Sequence, residues 1–340
     1  MNRYVCTADI TGHYEICTED KEMKILLTAP VPEKAIEKFR KEFELTVPEK
    51  AMTYDEVSAV IDQYDGLFVI VNKADKALLD KGTKLKVVAN FGVGYDNIDW
   101  KYATEKGIAV VNTPTQVTDA TAEHTAVLIF DTMRSIARYD REVRSGKWES
   151  PLFPEKTQAI TGSTLGILGF GRIGKMVCQK AQGMGMNVIY YDKFRATPEQ
   201  EKEYNVTYMD FDDVLKNADC VTLHMPYIPE NHHIINMEAL KKMKKSAFLV
   251  NAARGPIVNE VELCEALKTG VIKGAGLDVY ENEPHPYEGL LSLENVVLTP
   301  HAASGTMKAR LGMADEAMSG ITGVLKGEKP YNVVNKEVLK

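Results

Sequence analysis

Cysteine is scarce in this chain, with five residues in 340, at Cys6, Cys17, Cys178, Cys220 and Cys264. An odd and widely scattered set excludes a disulfide framework and fits reduced thiols in a cytoplasmic protein. Positive charge is also in deficit. Lys and Arg number 41 against 48 Asp and Glu, a net charge of −7, so the basic excess of a nucleic-acid binder is missing. The one lysine-rich cluster, Lys241, Lys242, Lys244 and Lys245, reads as the cationic end of a short helix. No run approaches the ~18 continuous apolar residues of a membrane span. No basic N-terminal segment followed by an apolar core marks a secretion signal. Cys6, His13 and Cys17 match no zinc spacing and lack a fourth ligand, so no metal is expected.

What is present is ordinary globular composition, 44% apolar and 26% charged, which excludes disordered and collagen-like chains. The length fits roughly two domains. Residues 1–22 match no pattern, and the first domain reads as starting at "MKILLTAP", residues 23–30. From there strands at 24–28, 66–71, 87–90 and 109–112 alternate with helical stretches such as 33–43 and 53–63. Such alternation predicts a parallel sheet covered on both faces. A helical pattern then runs about 25 residues, 119–146, with Thr118 as its cap and Gly146 as its stop. A helix of that length is long enough to bridge two domains. From Ser163 a second series gives six strands, "TLGILGF", "NVIYYD", "CVTLHM", "AFLVNAA", "GAGLDVY" and "VVLTP", and a last helix at 304–325. The fold class is therefore α/β, with doubly wound parallel sheets.

The strongest motif is Gly169-Phe170-Gly171-Arg172-Ile173-Gly174. Alone, G-x-G-x-x-G is weak, but here a strand precedes it and a helix follows. Gly169 permits a tight turn, Gly171 lets the backbone approach a pyrophosphate, and Gly174 lets helix and strand pack closely. The helix N-terminus offers free N–H groups to phosphates. Asp192 ends the next strand, 18 residues beyond Gly174. A carboxylate there accepts hydrogen bonds from the adenosine ribose and repels a 2′-phosphate, favouring NAD over NADP. Lys193 and Arg195, just beyond it, pull the other way.

Ligands of open α/β sheets lie beyond the carboxyl ends of the strands. Three such ends carry Arg254, Glu283 and His301. Arginine suits a substrate carboxylate. Histidine exchanges protons near neutral pH, and a neighbouring carboxylate orients its ring. Each residue also has a bland explanation: a surface ion pair, one charge of an acidic loop, a structural histidine. At successive strand ends beside a dinucleotide motif, the three together point to reduction of a carbonyl, with charge on its oxygen met by His301 and Arg254. His224, at another strand end, is placed along the cofactor pocket. His124 on the long helix reads as core or interface, and His232, His233 and His285 lie in turns.

Five segments, "NFGVGYDNID" at 90–99, "GILGFGRIG" at 166–174, "NAARGPIV" at 251–258, "GLDVYENEP" at 276–284 and "TPHAASGT" at 299–306, resemble the D-isomer-specific 2-hydroxyacid dehydrogenase family. The resemblance runs from residue 23 to the C-terminus. It implies two Rossmann-like domains, the NAD-binding one (120–303) inserted into a substrate domain (1–119 and 304–340). It implies Arg254 as the substrate-binding arginine, Glu283 as partner of the catalytic histidine and His301 as acid/base. Gly92, Val93 and Gly94 would offer N–H groups to the substrate carboxylate, with Asn72 and Lys73 in a second substrate-facing loop. Arg172, Ile173, Asp192, Ala253 and Asp278 fall at NAD contacts. Members are homodimers that act on small 2-keto or 2-hydroxy acids. Within the family the pattern is most like glyoxylate/hydroxypyruvate reductases, with D-3-phosphoglycerate dehydrogenase as the nearest rival. A non-catalytic NAD-sensing binding protein on the same fold, and an oxidiser of phosphite or another inorganic anion, are the further alternatives. Formate dehydrogenases of the superfamily carry Gln where Glu283 stands.

Overall fold

The computed structural model describes residues 23–70, 72–148 and 156–339. Residues 1–22, with Cys6, His13 and Cys17, lie outside the described residues, as do Val71, residues 149–155 and Lys340. The chain divides into two compact units, Met1–Thr113 with Leu311–Lys340, and Pro114–Arg310. In sequence the second unit is an insertion in the first.

The first unit carries β1 (Lys24–Leu27), β2 (Glu44–Thr46), β3 (Gly66–Val69), β4 (Val87–Asn90) and β5 (Ala109–Val111). They form one parallel sheet in the order β2-β1-β3-β4-β5. Residues alternate between two apolar layers. Ile25, Leu27, Phe68, Val87 and Ala89 face one core with Ala317 and Ile321, while Leu26, Leu67, Val69, Val88 and Val110 face the other. Every residue of β3 and β4 is buried, as a parallel sheet covered on both faces requires. Asn335 near the C-terminus binds Val110 N, Ile108 O and Thr104 Oγ1, tying the returning chain to β5.

The second unit holds β6 (Thr164–Leu168), β7 (Asn187–Tyr191), β8 (Thr207–Tyr208), β9 (Cys220–Leu223), β10 (Phe248–Asn251), β11 (Gly274–Leu277) and β12 (Val296–Leu298). The order is β12-β11-β10-β9-β6-β7-β8, again all parallel. All six expected strands are present. β2 and β8 are short edge strands, too brief to show a period in the sequence.

The expected 25-residue helix is two helices, Thr118–Arg134 and Ile136–Arg144. Between them Ser135 takes a left-handed conformation, φ 56° and ψ 34°. Asp131 Oδ1 accepts from Ala137 N across the break, and Ser135 Oγ donates to the Lys156 carbonyl. These bonds replace the helical ladder that a left-handed residue interrupts. Thr118 begins the first helix rather than capping it, its hydroxyl donating to Pro114 O. That helix buries Ala122, Leu128, Ile129 and Met133 against the sheet of the second unit. The last helix spans Met307–Leu325, and the division between the units falls within it. Among the described residues no helix is long and apolar enough to cross a membrane.

Candidate active site

The order of the second sheet turns at β6, whose neighbours are β7 on one side and β9 on the other. Loops leaving β6 and β9 therefore diverge and open a crevice. Gly169 lies at its mouth with φ 101°. A Cβ there would meet the His224 carbonyl carbon at 2.6 Å, so the two strand ends close only on glycine. Gly174 is buried in the first turns of the helix that follows, where a Cβ would lie 2.3 Å from Gly169 O. Gly171 differs. It is the N-cap of the helix Arg172–Gly183, and a Cβ on it would meet nothing within 4 Å. The space over this helix end is open, as an incoming pyrophosphate requires. Arg172 is exposed and Ile173 half-buried on the same first turn.

Asp192 follows β7 and faces the loop. Its Oδ2 accepts from Phe170 N at 2.7 Å and its Oδ1 from Phe194 N at 2.8 Å. Each carboxylate oxygen keeps a lone pair for another donor. His224 after β9 pairs with Thr222 Oγ1 at 3.1 Å, and desolvation pushes its imidazole down to about 3. It is uncharged at neutral pH. Ala253 N donates to Asn251 Oδ1, and Asn251 Nδ2 donates to Arg254 O. The Asn251 side chain thus holds the turn that presents Arg254.

Gly255 brings this turn against the next one. A Cβ would sit 1.9 Å from the Tyr280 carbonyl carbon and 2.4 Å from Glu281 N. Backbone cannot yield at that separation, so Gly255→Ala is expected to cost ~3 kcal/mol or more. Thermal unfolding checks this, and an unchanged midpoint would remove the close approach as a constraint.

Glu283 Oε1 accepts from Tyr280 N at 3.1 Å, and Oε2 lies 2.7 Å from His301 Nδ1. Burial works against the charged carboxylate. It is outweighed by the hydrogen bond and charge of His301, the Tyr280 N–H and the Arg254 guanidinium, which together hold Glu283 below the usual range. The structure thus brings Arg254, Glu283 and His301 to one edge of the sheet. With Nδ1–H donated to Glu283, Nε2 is the ring atom left for proton exchange.

His301 itself is left-handed, φ 49°, and is held there by Asp278. The Asp278 carbonyl accepts from His301 N, Oδ1 from Ala302 N and Thr299 Oγ1, and Oδ2 from Ala303 N. Asp278 is fully buried. Burial opposes its charge, but the hydrogen bonds from His124, Thr299 and Ala302 prevail and keep it below the usual range. His124, expected in core or interface, lies 3.3 Å from Asp278 Oδ1. Glu260, also buried, accepts from Glu281 N and Tyr287 N. It anchors the loop that carries Glu283, and burial pushes its own carboxyl up.

In the first unit, the loops after β3 and β4 are tied by asparagine amides. Asn97 Nδ2 donates to Asn72 O at 3.0 Å and to Asn90 Oδ1 at 2.9 Å, and Asn90 Nδ2 reaches Gly94 O. Asn112 Nδ2 donates to Val93 O. Gly92, Val93 and Gly94 are thus held from below with Asn72, while Lys73 is exposed. The Asn72 Oδ1 atom is buried and, among the described residues, has no hydrogen-bond partner. Asn90, Asn97 and Asn251 are missed by a search for charged residues. The signal is an Asn closing an otherwise apolar strand, as at the ends of β4 and β10. Among the described residues, no three His, Cys, Asp or Glu side chains gather as metal ligands.

Residues 126–303 match the family described as D-isomer specific 2-hydroxyacid dehydrogenase, NAD binding domain. The chain belongs to that family. A glyoxylate reductase from Thermococcus litoralis is 44% identical over 93% of this chain and 98% of its own. The crystal structure of a Thermus thermophilus protein superposes with a TM-score of 0.84 at 35% identity, over 92% of this chain and 100% of that one. The NADPH-dependent glyoxylate/hydroxypyruvate reductase of Sinorhizobium meliloti gives 0.82 at 30% identity, over 93% and 98%. The dehydrogenase described here is accordingly an oxidoreductase with an NAD-binding domain in its second unit.

Proposed function

We propose that the enzyme reduces a small 2-keto acid, glyoxylate or hydroxypyruvate, to the D-2-hydroxy acid with NADH. The observation that carries this is His301 Nδ1 at 2.7 Å from Glu283 Oε2, on the sheet edge that also bears Arg254 and the glycine loop. The open space over Gly171 and the lone pairs of Asp192 fit a dinucleotide. Arg172, Ile173, Gly174, His224, Ala253 and Asp278 complete the set assigned to it. Bound NADH supplies the hydride. His301 Nε2 gives the proton to the carbonyl oxygen, and Glu283 keeps the ring oriented and steadies the imidazolium. Arg254 holds the substrate carboxylate, and its charge stabilises the developing alkoxide. By resemblance to the family, Gly92, Val93 and Gly94 are assigned N–H groups for a substrate carboxylate, and Asn72 and Lys73 a second substrate-facing loop.

The same reading makes the protein a cytoplasmic homodimer. Support comes from Cys178, Cys220 and Cys264, all buried and unpaired, as a reducing compartment keeps them. Val127, Ile136, Val143 and Trp148 are exposed on or just after the helix pair of the second unit, and a contiguous apolar patch formed by them would seat a second copy.

The test is NADH consumption with glyoxylate, hydroxypyruvate, pyruvate, 2-ketogluconate, phenylpyruvate and 3-phosphohydroxypyruvate. Glyoxylate or hydroxypyruvate is expected to give the highest kcat/KM. A preference for 3-phosphohydroxypyruvate would assign the chain to the phosphoglycerate branch instead. NADH binding without turnover of any acid would overturn the catalytic reading.

A further inference from the structure

The sequence beyond β7 holds opposing signals for the cofactor. Asp192 disfavours a 2′-phosphate, whereas an arginine close to the strand end accommodates one, and Arg195 follows three residues later. Where the Arg195 guanidinium is held decides between them.

It is held elsewhere. Arg195 Nε donates to Glu201 Oε1 at 2.7 Å and a second nitrogen donates to Oε2 at 3.0 Å, a two-pronged pair. The guanidinium lies 4.8 Å above the Tyr208 ring on the edge strand β8. Glu201, on the helix Pro198–Glu203, is in turn fixed from the core. Tyr190, a fully buried residue of β7, donates its hydroxyl to Glu201 Oε1 at 2.8 Å and accepts from Ala196 N at 3.1 Å. The Glu201 side chain is only 15% exposed, against 60% for Arg195. Isolated surface pairs contribute little, but bidentate geometry and a network partner set this one apart. Bonds from Arg195 and Tyr190 hold the Glu201 carboxyl down at about 2, so the clamp is charged throughout the working range.

We infer that Glu201 is a cofactor-specificity residue: it binds Arg195 and withholds from a 2′-phosphate the guanidinium of the two cations, Lys193 and Arg195, that follow Asp192. NADH preference then has two sources, repulsion by Asp192 and sequestration of Arg195. The inference rests on the reading that the glycine-loop crevice takes NADH with Asp192 on the ribose. It accounts for how an arginine next to the ribose site coexists with that preference. It also predicts that changing Asp192 alone converts the enzyme incompletely, because Arg195 stays clamped.

The experiment is equilibrium binding of NADH and NADPH, read by nucleotide fluorescence without keto acid, in a cycle of variants. Asp192→Ser is expected to raise the NADPH-to-NADH affinity ratio by about tenfold. Adding Glu201→Gln should raise it by about a further tenfold, and this second gain should shrink with salt, as a released charge on a phosphate does. Arg195→Leu should leave NADPH binding of Asp192→Ser within about twofold, yet remove the second gain when Glu201→Gln is present. That contrast separates a charge clamp from a structural role for Glu201. The inference is overturned if Arg195→Leu weakens NADPH equally with and without Glu201. It is also overturned if Glu201→Gln alters both nucleotides alike. Should Glu201→Gln fail to fold, the Arg195→Leu comparison in the Asp192→Ser protein still decides, since a loss of NADPH affinity there shows Arg195 already on the phosphate. If the unaltered chain does not bind NADH, the cofactor reading itself falls, and that result is distinct from an unmoved ratio.

Discussion

Replacing His301 with Ala is expected to lower kcat for keto-acid reduction by about three orders of magnitude, within the ~10²–10⁴ range of a positioned acid, while NADH still binds. Among the described residues, its hydrogen bonds run to Glu283, Asp278 and Thr299, none of them in the glycine loop. Its backbone is fixed by Asp278 through His301 N, and the Ala302 and Ala303 N–H bonds to Asp278 do not depend on the ring. The loss should therefore be confined to proton transfer. Because His301 is left-handed, His301→Asn is the better second variant, since asparagine tolerates that conformation. It should lose turnover equally with less effect on folding. Stability gives an independent readout. Glu283 is held below its unfolded value, so its contribution is present above the ordinary carboxylate pKa of ~4.3. It is lost as pH falls through the lowered value. Without the imidazole, that acid-side loss should diminish in thermal unfolding measured from neutral to acid pH. Turnover within about tenfold of the unaltered enzyme would remove His301 as the acid.

The positions of these groups are legible because each lies on the loop that leaves the carboxyl end of a strand, Arg254 after β10, Glu283 after β11 and His301 after β12. A parallel sheet puts all its carboxyl ends on one edge, so a charged residue after an apolar run announces its own location. The glycine loop was legible for the same reason. What was not legible depends on contacts between distant residues. The stop at Ser135 is set by Asp131 with Ala137 N and by Ser135 with Lys156 O, while the helical period runs on through it. Strand β8 has two residues and pairs with β7 at only two positions. The asparagines under the 92–94 loop look like polar strand ends until their amides are seen to meet. His124 reads as core or interface, and only the structure shows that it reaches Asp278 on another element. Asp278 itself was placed among cofactor contacts, and its hydrogen bonds give it a further task in shaping the His301 turn. The ambiguity left by Asp192 and Arg195 could not be resolved from sequence, since it turns on which carboxylate the guanidinium meets.

Arg254→Ala is expected to lower kcat/KM for keto acids by about a thousandfold, or ~4 kcal/mol of transition-state stabilisation, and to leave NADH affinity within about threefold. Arginine offers five donors in a rigid fork. In this enzyme one nitrogen is spent on the neighbouring Ala253 carbonyl at 2.8 Å, which orients the plane of the guanidinium. The backbone beneath it is doubly constrained, by the Asn251 amide on Arg254 O and by the contact of Gly255 with Tyr280. That rigidity argues for recognition of a planar group such as a carboxylate. Arg254→Lys keeps the charge but not the fork, so it should recover less than about a tenth of the lost rate. The defect should appear mainly in KM if Arg254 only binds the carboxylate, and in kcat as well if its charge also meets the alkoxide. Parallel loss of NADH affinity and keto-acid turnover would show that Arg254 supports the cofactor crevice rather than the substrate. Full activity in Arg254→Lys would show that charge alone, without the planar fork, is what the reaction requires.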